Sequence, residues 1–208
     1  MNVKVDLSRF EDSIRQLEGY PVIKDCLLLY GSSFFANWGY ERSKNAFTGY
    51  RGSVNHGFGG ATVDELLFYY NRLIRPYEPS DIILRTGIND LTKEYTPEET
   101  MLLFIRLCAW IRNDFPKTKI YALPIFDCPM LKQQTELIRP VREYNQLMLQ
   151  YTENNDLVIF MDLTPFVYKN IEDIGQLERL RPLFLEDGLH LTNEGYNELE
   201  AYFRTIFV

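Results

Sequence analysis

Four short segments of the chain carry groups that could take part in acyl transfer. They are "GSS" at 31–33, "NHGFGG" at 55–60, "GIND" at 87–90 and "DGLH" at 187–190. In turn they supply a hydroxyl, backbone N–H groups in a glycine-rich turn, a side-chain amide, and an imidazole beside a carboxylate. A serine nucleophile, an oxyanion site and a general base require these groups.

The chain has only two histidines, and His190 follows Asp187 by three residues. A serine hydroxyl is a weak nucleophile until an imidazole accepts its proton, and a carboxylate holds that imidazole in the correct tautomer. Each segment alone also has a structural explanation, such as a capping serine, an Asx-turn or a structural hydrogen bond. The joint occurrence of the four segments, in this order, favours a catalytic site.

The other histidine, His56, lies beside the glycine-rich segment. No carboxylate at short spacing could orient its ring, so we expect a residue of a turn or of the site's rim. We expect Asp90 to tie its own loop by hydrogen bonds. Glu186 is a weaker candidate than Asp187 for the orienting acid.

The composition indicates one globular domain over residues 1–208. Apolar residues make up 46% of the chain, which suffices for a full core. The net charge of −7 argues against nucleic acid as a partner, because phosphate binding needs a basic surface. No apolar run approaches about 18 residues and the first 20 residues lack the apolar core of a signal peptide, so we expect a cytoplasmic protein without a transmembrane segment.

The three cysteines, Cys26, Cys108 and Cys128, are far apart and form no CxxC pair. We therefore expect buried free thiols rather than a disulfide framework or a zinc knuckle. The two histidines are separated and the carboxylates are not clustered, so we expect neither a catalytic metal nor another cofactor. The G-x-S-x-G pattern of the α/β-hydrolase nucleophile elbow does not occur in the chain.

Short apolar runs alternate with amphipathic segments along the chain. The runs predict buried strands, and the amphipathic periodicity predicts helices. Two helix starts have the pattern of a capping box, Thr62 with Glu65 and Thr96 with Glu99. The predicted strands are 26–31, a short one within 45–57, 81–87, 119–126 and 157–163; the predicted helices are 6–19, 62 to before Pro76, 96–116, 139–154 and 192–207.

This alternation predicts an α/β fold, a three-layer α/β/α sandwich with a mainly parallel five-stranded sheet. In such sheets ligands bind beyond the C-terminal ends of the strands. Each of the four chemical segments follows a predicted strand, directly or after a connection. We therefore expect them to meet in one crevice.

In this order the segments resemble the blocks of the SGNH, or GDSL-like, hydrolase family. That family has a Gly-Asp-Ser block, a glycine block, a Gly-x-Asn-Asp block and a C-terminal Asp-x-x-His block. The resemblance covers about residues 26–196, and "LFLEDGLHLTNEGY" is especially similar to bacterial GDSL-like acylhydrolases related to platelet-activating-factor acetylhydrolase. It implies the flavodoxin-like SGNH hydrolase fold.

Carried over position by position, the resemblance implies Ser33 as the nucleophile, His190 as the base and Asp187 as its orienting acid. It further implies an oxyanion hole built from the backbone N–H groups of Ser33 and Gly60 and from the side-chain amide of Asn89. The residues that would carry the reaction are thus distributed over all four segments.

The main departure from the family pattern is Ser32, which stands where the family has aspartate and is the alternative reactive hydroxyl. The implied activity is hydrolysis of carboxylic esters of short acyl or acetyl groups through an acyl-serine intermediate. The implied substrate is a small-molecule ester, such as an acylated glycan, a lysophospholipid or a metabolite. An O-acyltransferase on the same fold and a ligand-binding module without turnover are the alternatives.

Overall fold

Five parallel strands form the sheet in a computed structural model that describes residues 7–44 and 46–207. The strands lie in the order β2-β1-β3-β4-β5. In this doubly wound order the strand sequence reverses direction beside β1, so the loops after β2 and β3 flank the loop after β1. The strands are β1 Leu27–Gly31, β2 Ser53–Gly57, β3 Asp81–Arg85, β4 Lys119–Leu123 and β5 Val158–Phe160.

Helices make the connections between the strands and also precede and follow the sheet. The long helices are α1 Glu11–Glu18, α4 Val63–Leu73, α6 Pro97–Asp114, α8 Ile138–Glu153 and α10 Asn193–Ile206. The short ones are α2 Ser33–Trp38, α3 Tyr40–Ser43, α5 Ile88–Thr92, α7 Met130–Gln133 and α9 Thr164–Val167. Single 3-10 turns occupy Arg75–Tyr77, Thr135–Leu137, Ile171–Asp173 and Leu177–Arg179.

Alternate residues of each strand face opposite layers of helices. In β1, Leu28 and Tyr30 pack with α1, α4, α6 and α8, whereas Leu27 and Leu29 pack with α2, α9 and α10. Both faces of the sheet are therefore buried, which explains why the strands are apolar throughout. The predicted three-layer α/β/α sandwich with five strands is confirmed.

The predicted capping boxes are present at the starts of α4 and α6. The N–H of Thr62 donates to Glu65 over 2.8 Å, and the N–H of Thr96 donates to Glu99 over 2.9 Å. These bonds satisfy backbone donors that a helix start leaves free. The predicted helix boundaries at these positions are therefore confirmed.

The N-terminal helix is shorter than the predicted 6–19. Residues 7–10 form turns, α1 begins at Glu11, and residue 6 lies outside the described residues. The start at Glu11 places two carboxylates, Glu11 and Asp12, in the first turn. Negative side chains there interact favourably with the exposed N–H groups of the helix start.

Strand β2 extends through Asn55, His56 and Gly57, which the sequence suggested belong to the glycine-rich turn. Gly57 explains the difference, because a Cβ atom there would lie 2.4 Å from the backbone nitrogen of Ala36. Only glycine lets α2 pack this closely on the strand. The turn proper begins at Phe58.

The three cysteines are buried and free, as expected. Within the described ranges no helix combines the length and the apolar character needed to cross a bilayer. Nor do three or more His, Cys, Asp or Glu side chains of those ranges gather into a group that could hold a metal ion.

Candidate active site

A small cavity lies beyond the C-terminal ends of β1 and β3. It has a volume of about 10 Å³, which is room for about one water-sized group. Ser33 of the "GSS" segment and His190 of the "DGLH" segment therefore line the same cavity. The lining residues are Ser32, Ser33, Phe34, Arg85, Thr86, Ile88, Leu189 and His190.

Ser33 is the first residue of α2 and follows β1 after a single connecting residue. Two hydrogen bonds hold the first turn of this helix. The Tyr196 hydroxyl of α10 donates to the Phe34 carbonyl over 2.7 Å, and the Asn55 amide of β2 donates to the Phe35 carbonyl over 2.9 Å. The helix that carries Ser33 is thus fixed both by the sheet and by the helix that follows His190.

The two neighbouring serines differ in their surroundings. Ser32 is 4% exposed, whereas Ser33 is only partly buried. A Cβ atom built on Gly59 would lie 3.9 Å from the Cβ of Ser33, so the glycine-rich turn runs beside that residue. Ser33 therefore lies between the cavity and the backbone of the turn.

Asp187 holds His190 by its side chain and by its backbone. Its Oδ2 lies 2.7 Å from Nδ1 of the imidazole, and its Oδ1 accepts the N–H groups of Leu189 and His190 over 2.9 and 3.0 Å. Although burial acts to raise it, the pKa of Asp187 is lowered to about 2 by these hydrogen bonds. The carboxylate is therefore charged at neutral pH and accepts the Nδ1 proton, which leaves the lone pair on Nε2. Nε2 is buried and has no hydrogen-bond partner among the described residues.

The loop that carries the Asp-His pair is held by backbone hydrogen bonds. The N–H of Leu185 donates to the His190 carbonyl over 2.7 Å, and the N–H of Gly188 donates to the Leu185 carbonyl over 2.9 Å. Gly188 has a φ of +69°, and a Cβ there would lie 2.7 Å from the backbone nitrogen of Met130. Glycine is therefore required at this position, both for the left-handed backbone and for the close approach.

The two candidate oxyanion donors outside the nucleophile belong to loops that contact each other. Gly60 has a φ of +80°, and its carbonyl accepts Nη2 of Arg9 over 2.8 Å. The amide nitrogen of Asn89 donates to the carbonyl of Ala61 over 2.9 Å. A side-chain amide has two N–H donors, so this bond leaves the second one for another acceptor.

Asp90 makes hydrogen bonds within its own loop, as the sequence suggested, and its carboxylate also reaches the neighbouring loop. Its Oδ1 accepts the N–H of Val63, the first residue of α4, over 2.9 Å. The sheet order explains this contact. β2 and β3 lie on either side of β1, so the loops that follow them are close enough to form a hydrogen bond. Burial raises the pKa of Asp90 to about 7.

His56 is not the turn or rim residue that the sequence suggested. It lies inside β2 with 0% exposure, and its Nδ1 bonds to the carbonyl of Leu73 over 2.7 Å. Its ring packs against the edge of Tyr77 at 4.6 Å, and burial lowers its pKa to about 4. The side chain is a core group remote from the cavity lining, because the strand runs further than its sequence indicates.

The sequence interpretation missed Arg85, which lines the cavity as the last residue of β3. The signal was available, because a charged residue interrupts the otherwise apolar run "IIL-R-TG". The strand pattern alone says that the residue is in the sheet and does not say what its guanidinium faces.

The sheet order defines an α/β fold of flavodoxin-like topology, and the family match described next makes the protein a hydrolase that acts on esters. More specifically, the chain belongs to the GDSL-like lipase/acylhydrolase family, whose model matches residues 12–197. The resemblance based on the four segments is thereby confirmed. No protein of curated function matches this chain in sequence.

Solved structures share the fold over most of their length. A proposed platelet activating factor from Streptococcus pneumoniae has 21% identity and a TM-score of 0.77, over 97% of this chain and 92% of that one. A GDSL-like lipase from Bacteroides thetaiotaomicron has 16% identity and a TM-score of 0.75, over 97% and 98%. An acetylxylan esterase from Geobacillus stearothermophilus has 17% identity and a TM-score of 0.64, over 89% and 95%. At these identities the likeness establishes the fold.

Proposed function

We propose that the protein is a serine esterase that hydrolyses carboxylic esters of short acyl groups, with Ser33 as the nucleophile. The observation that carries this proposal is the cavity shared by Ser33 and His190. There the buried Nε2 of the imidazole has no partner, while Asp187 occupies the other ring nitrogen. An imidazole held by a carboxylate, with its other nitrogen unpaired and a serine in the same cavity, supplies the groups needed to activate a serine hydroxyl.

In the reaction the Ser33 hydroxyl oxygen attacks the carbonyl carbon and its proton passes to Nε2 of His190. Asp187 stabilises the imidazolium that forms. The oxygen of the tetrahedral intermediate accepts hydrogen bonds from the N–H groups of Ser33 and Gly60 and from the second amide N–H of Asn89. The C–O bond then breaks and the alcohol takes the proton from Nε2. A water molecule repeats the sequence on the acyl-serine and releases the acid.

The size of the cavity supports a short acyl group. A volume of about 10 Å³ fits a methyl or a group of similar size, and the rest of the ester would extend out of the cavity. One of the similar structures is an acetylxylan esterase, which acts on acetyl groups. We therefore propose acetyl and other short-chain esters of small molecules as the substrate class.

The test is hydrolysis of 4-nitrophenyl acetate, butyrate and octanoate by the wild type and two serine variants. We expect the acetate to give the highest kcat/KM and Ser33→Ala to lower it by about 10³–10⁶-fold, because the nucleophile is lost. Ser32→Ala is the matched control and should stay within about tenfold of the wild type. A fluorophosphonate probe should label Ser33, as located by peptide mass spectrometry.

Two outcomes would contradict the proposal. Loss of activity in Ser32→Ala with full activity in Ser33→Ala would move the nucleophile by one residue. Absence of both labelling and hydrolysis would indicate a binding module without turnover.

A further inference from the structure

Arg85 is a buried cation in the wall of the cavity that Ser33 and His190 line. It is 4% exposed. Its guanidinium lies over the rings of Phe34 and Phe126, at 5.3 and 4.6 Å from their centroids. These cation–π contacts occupy the flat faces of the guanidinium and supply no acceptor to its N–H donors, which point outward in the plane of the group.

The N–H donors in the plane of the Arg85 guanidinium are unusual for a buried arginine. Nε and Nη1 of Arg85 are buried and have no hydrogen-bond partner among the described residues. Burial lowers the pKa of Arg85 to about 10, and the groups that oppose this shift are Cys128, Tyr144 and Tyr196, none of them a carboxylate. The guanidinium is therefore charged at neutral pH, and a buried charge without a partner is strongly unfavourable.

Other arginines of the chain have structural roles, and their hydrogen-bond partners can be compared with those of Arg85. Arg72 donates to both oxygens of Glu11 and to Glu18, and Arg9 binds the buried Glu65 through two nitrogens. Each of these cations is matched by a carboxylate of the protein. Within the described part of the chain, Arg85 has no such carboxylate on Nε or Nη1, and its side chain lines the cavity that also contains the proposed nucleophile.

We propose that Arg85 binds a carboxylate of the substrate, within a few bonds of the scissile ester. This inference rests on the proposed esterase function and adds the class of ester. Nε and Nη1 of the guanidinium can each donate a charge-assisted hydrogen bond to a carboxylate, which is stronger than a hydrogen bond between neutral groups. Because Arg85 and Ser33 line the same cavity, an anion held by Arg85 and the carbonyl attacked by Ser33 would belong to one molecule.

A planar carboxylate suits this cavity better than a tetrahedral phosphate, whose additional oxygens would need further donors and space. The neighbouring Ser32, which also lines the cavity, is neutral and leaves the positive charge available. An aspartate at that position would place a carboxylate of the protein beside the guanidinium. Ser32→Asp is therefore a variant that blocks the proposed anion site while keeping Arg85.

The test compares charged esters with neutral esters of the same shape. For a carboxylate in the acyl part, the pair is monoethyl malonate and ethyl isovalerate; for one in the alcohol part, it is O-acetylglycolate and isobutyl acetate. We expect the wild type to favour the charged ester in one pair by about 10–100-fold in kcat/KM, as hydrogen bonds between charged groups allow. The pair that shows the preference identifies which side of the ester carries the anion.

Arg85→Met replaces the guanidinium by an apolar chain that still packs between two aromatic rings. We expect the charged-to-neutral ratio to fall to about 1 in this variant and to fall in Ser32→Asp as well. Arg139→Met removes an arginine that is 86% exposed and should leave the ratio unchanged. A wild-type ratio near 1 in both pairs would overturn the inference while leaving the esterase function intact.

Thermal unfolding separates the anion site from catalysis. In malonate the Tm of the wild type should rise above its value in chloride at equal ionic strength, and that of Arg85→Met should not. Without added carboxylate, Arg85→Met should unfold at a higher temperature than the wild type, because an unpaired buried charge is removed; a lower Tm would indicate a structural role and contradict the inference. An equal rise of the Tm in chloride and in malonate would mean that the site binds an adventitious ion only, and would contradict the inference. If malonate raises the Tm of the wild type but not that of Arg85→Met, and the protein hydrolyses no ester, the anion site is supported and the esterase function is refuted.

Discussion

The two histidines of this chain lie in opposite surroundings. His190 is in a backbone-clamped loop, with Asp187 on one ring nitrogen and the cavity beside the other. His56 is inside β2, bonded to the carbonyl of Leu73, and its low pKa keeps it neutral. Nε2 has no partner among the described residues in either ring, but only His190 has a carboxylate on Nδ1 and lines the cavity together with Ser33. The difference shows that partners and exposure decide what an imidazole can do.

The strongest test of this contrast exchanges each histidine in turn. We expect His190→Ala to lower kcat toward short esters by about 10³–10⁶-fold, since no other group can accept the serine proton. His56→Gln should keep kcat within about tenfold, because the ring does not line the cavity. The kcat of both variants should be measured on protein whose folding is verified by circular dichroism. Similar losses of kcat in the two variants would contradict the proposed difference between the histidines.

A smaller effect is expected when only the partner of His190 is changed. Asp187→Asn should lower kcat by about 10²–10⁴-fold, because the neutral amide no longer selects the Nδ1–H tautomer or stabilises the imidazolium. The Asn side chain retains an oxygen that can accept the two backbone N–H groups, so the loop should persist. Steady-state kinetics with a short ester measures the loss, and wild-type kcat in this variant would remove the orienting role.

The smallest effect concerns stability and belongs to His56. Its folded-state pKa of about 4 lies below the unfolded value of about 6.5, so between these values the unfolded chain binds more protons. Stability due to this group is therefore complete above pH 6.5 and is lost as the pH falls toward 4, by on the order of 1–3 kcal/mol. His56→Gln can still donate to the Leu73 carbonyl but does not titrate. Urea unfolding of both proteins from pH 4 to 8 should show a difference that changes across this window.

Asp90 acts in the opposite sense and must be separated from His56. Its pKa of about 7 lies above the unfolded value, so the stability that it contributes falls as the pH rises from 4 to 7. The two groups partly cancel in the wild type. The informative quantity is therefore the difference in unfolding free energy between variant and wild type at each pH, and a constant difference would show that His56 does not titrate in this window.

Much of the fold follows from local sequence signals. The apolar runs predict four strands because strands buried on both faces exclude polar residues, and Thr62 with Glu65 predicts the start of α4 because the capping box is local chemistry. The position of Ser33 beyond the carboxyl end of β1 follows from the sheet order. His190 follows the edge strand β5 only after a long connection, so its presence in the same cavity was implied by the resemblance of the four segments and not by the strand order. The roles of these two residues remain predictions.

The remaining features depend on contacts that have no local signature. Whether His56 belongs to the strand or to the turn depends on the close packing of α2 at Gly57, which adjoining residues do not encode. The environment of Arg85 depends on Phe34 and Phe126, from two other parts of the chain. Packing between distant parts of the chain determines whether the side chains of His56 and Arg85 are buried and paired. The surroundings of these two residues therefore became known only from the structure.

The hydrogen bond from Tyr196 to the Phe34 carbonyl joins residues 162 positions apart. During synthesis the segment that carries Ser33 leaves the ribosome early, whereas His190 and the helix that anchors α2 are among the last parts to emerge. A nascent chain that has been made only as far as α8 therefore has Ser33 but neither His190 nor this anchor. The cavity that these residues line can form only once synthesis has passed Tyr196.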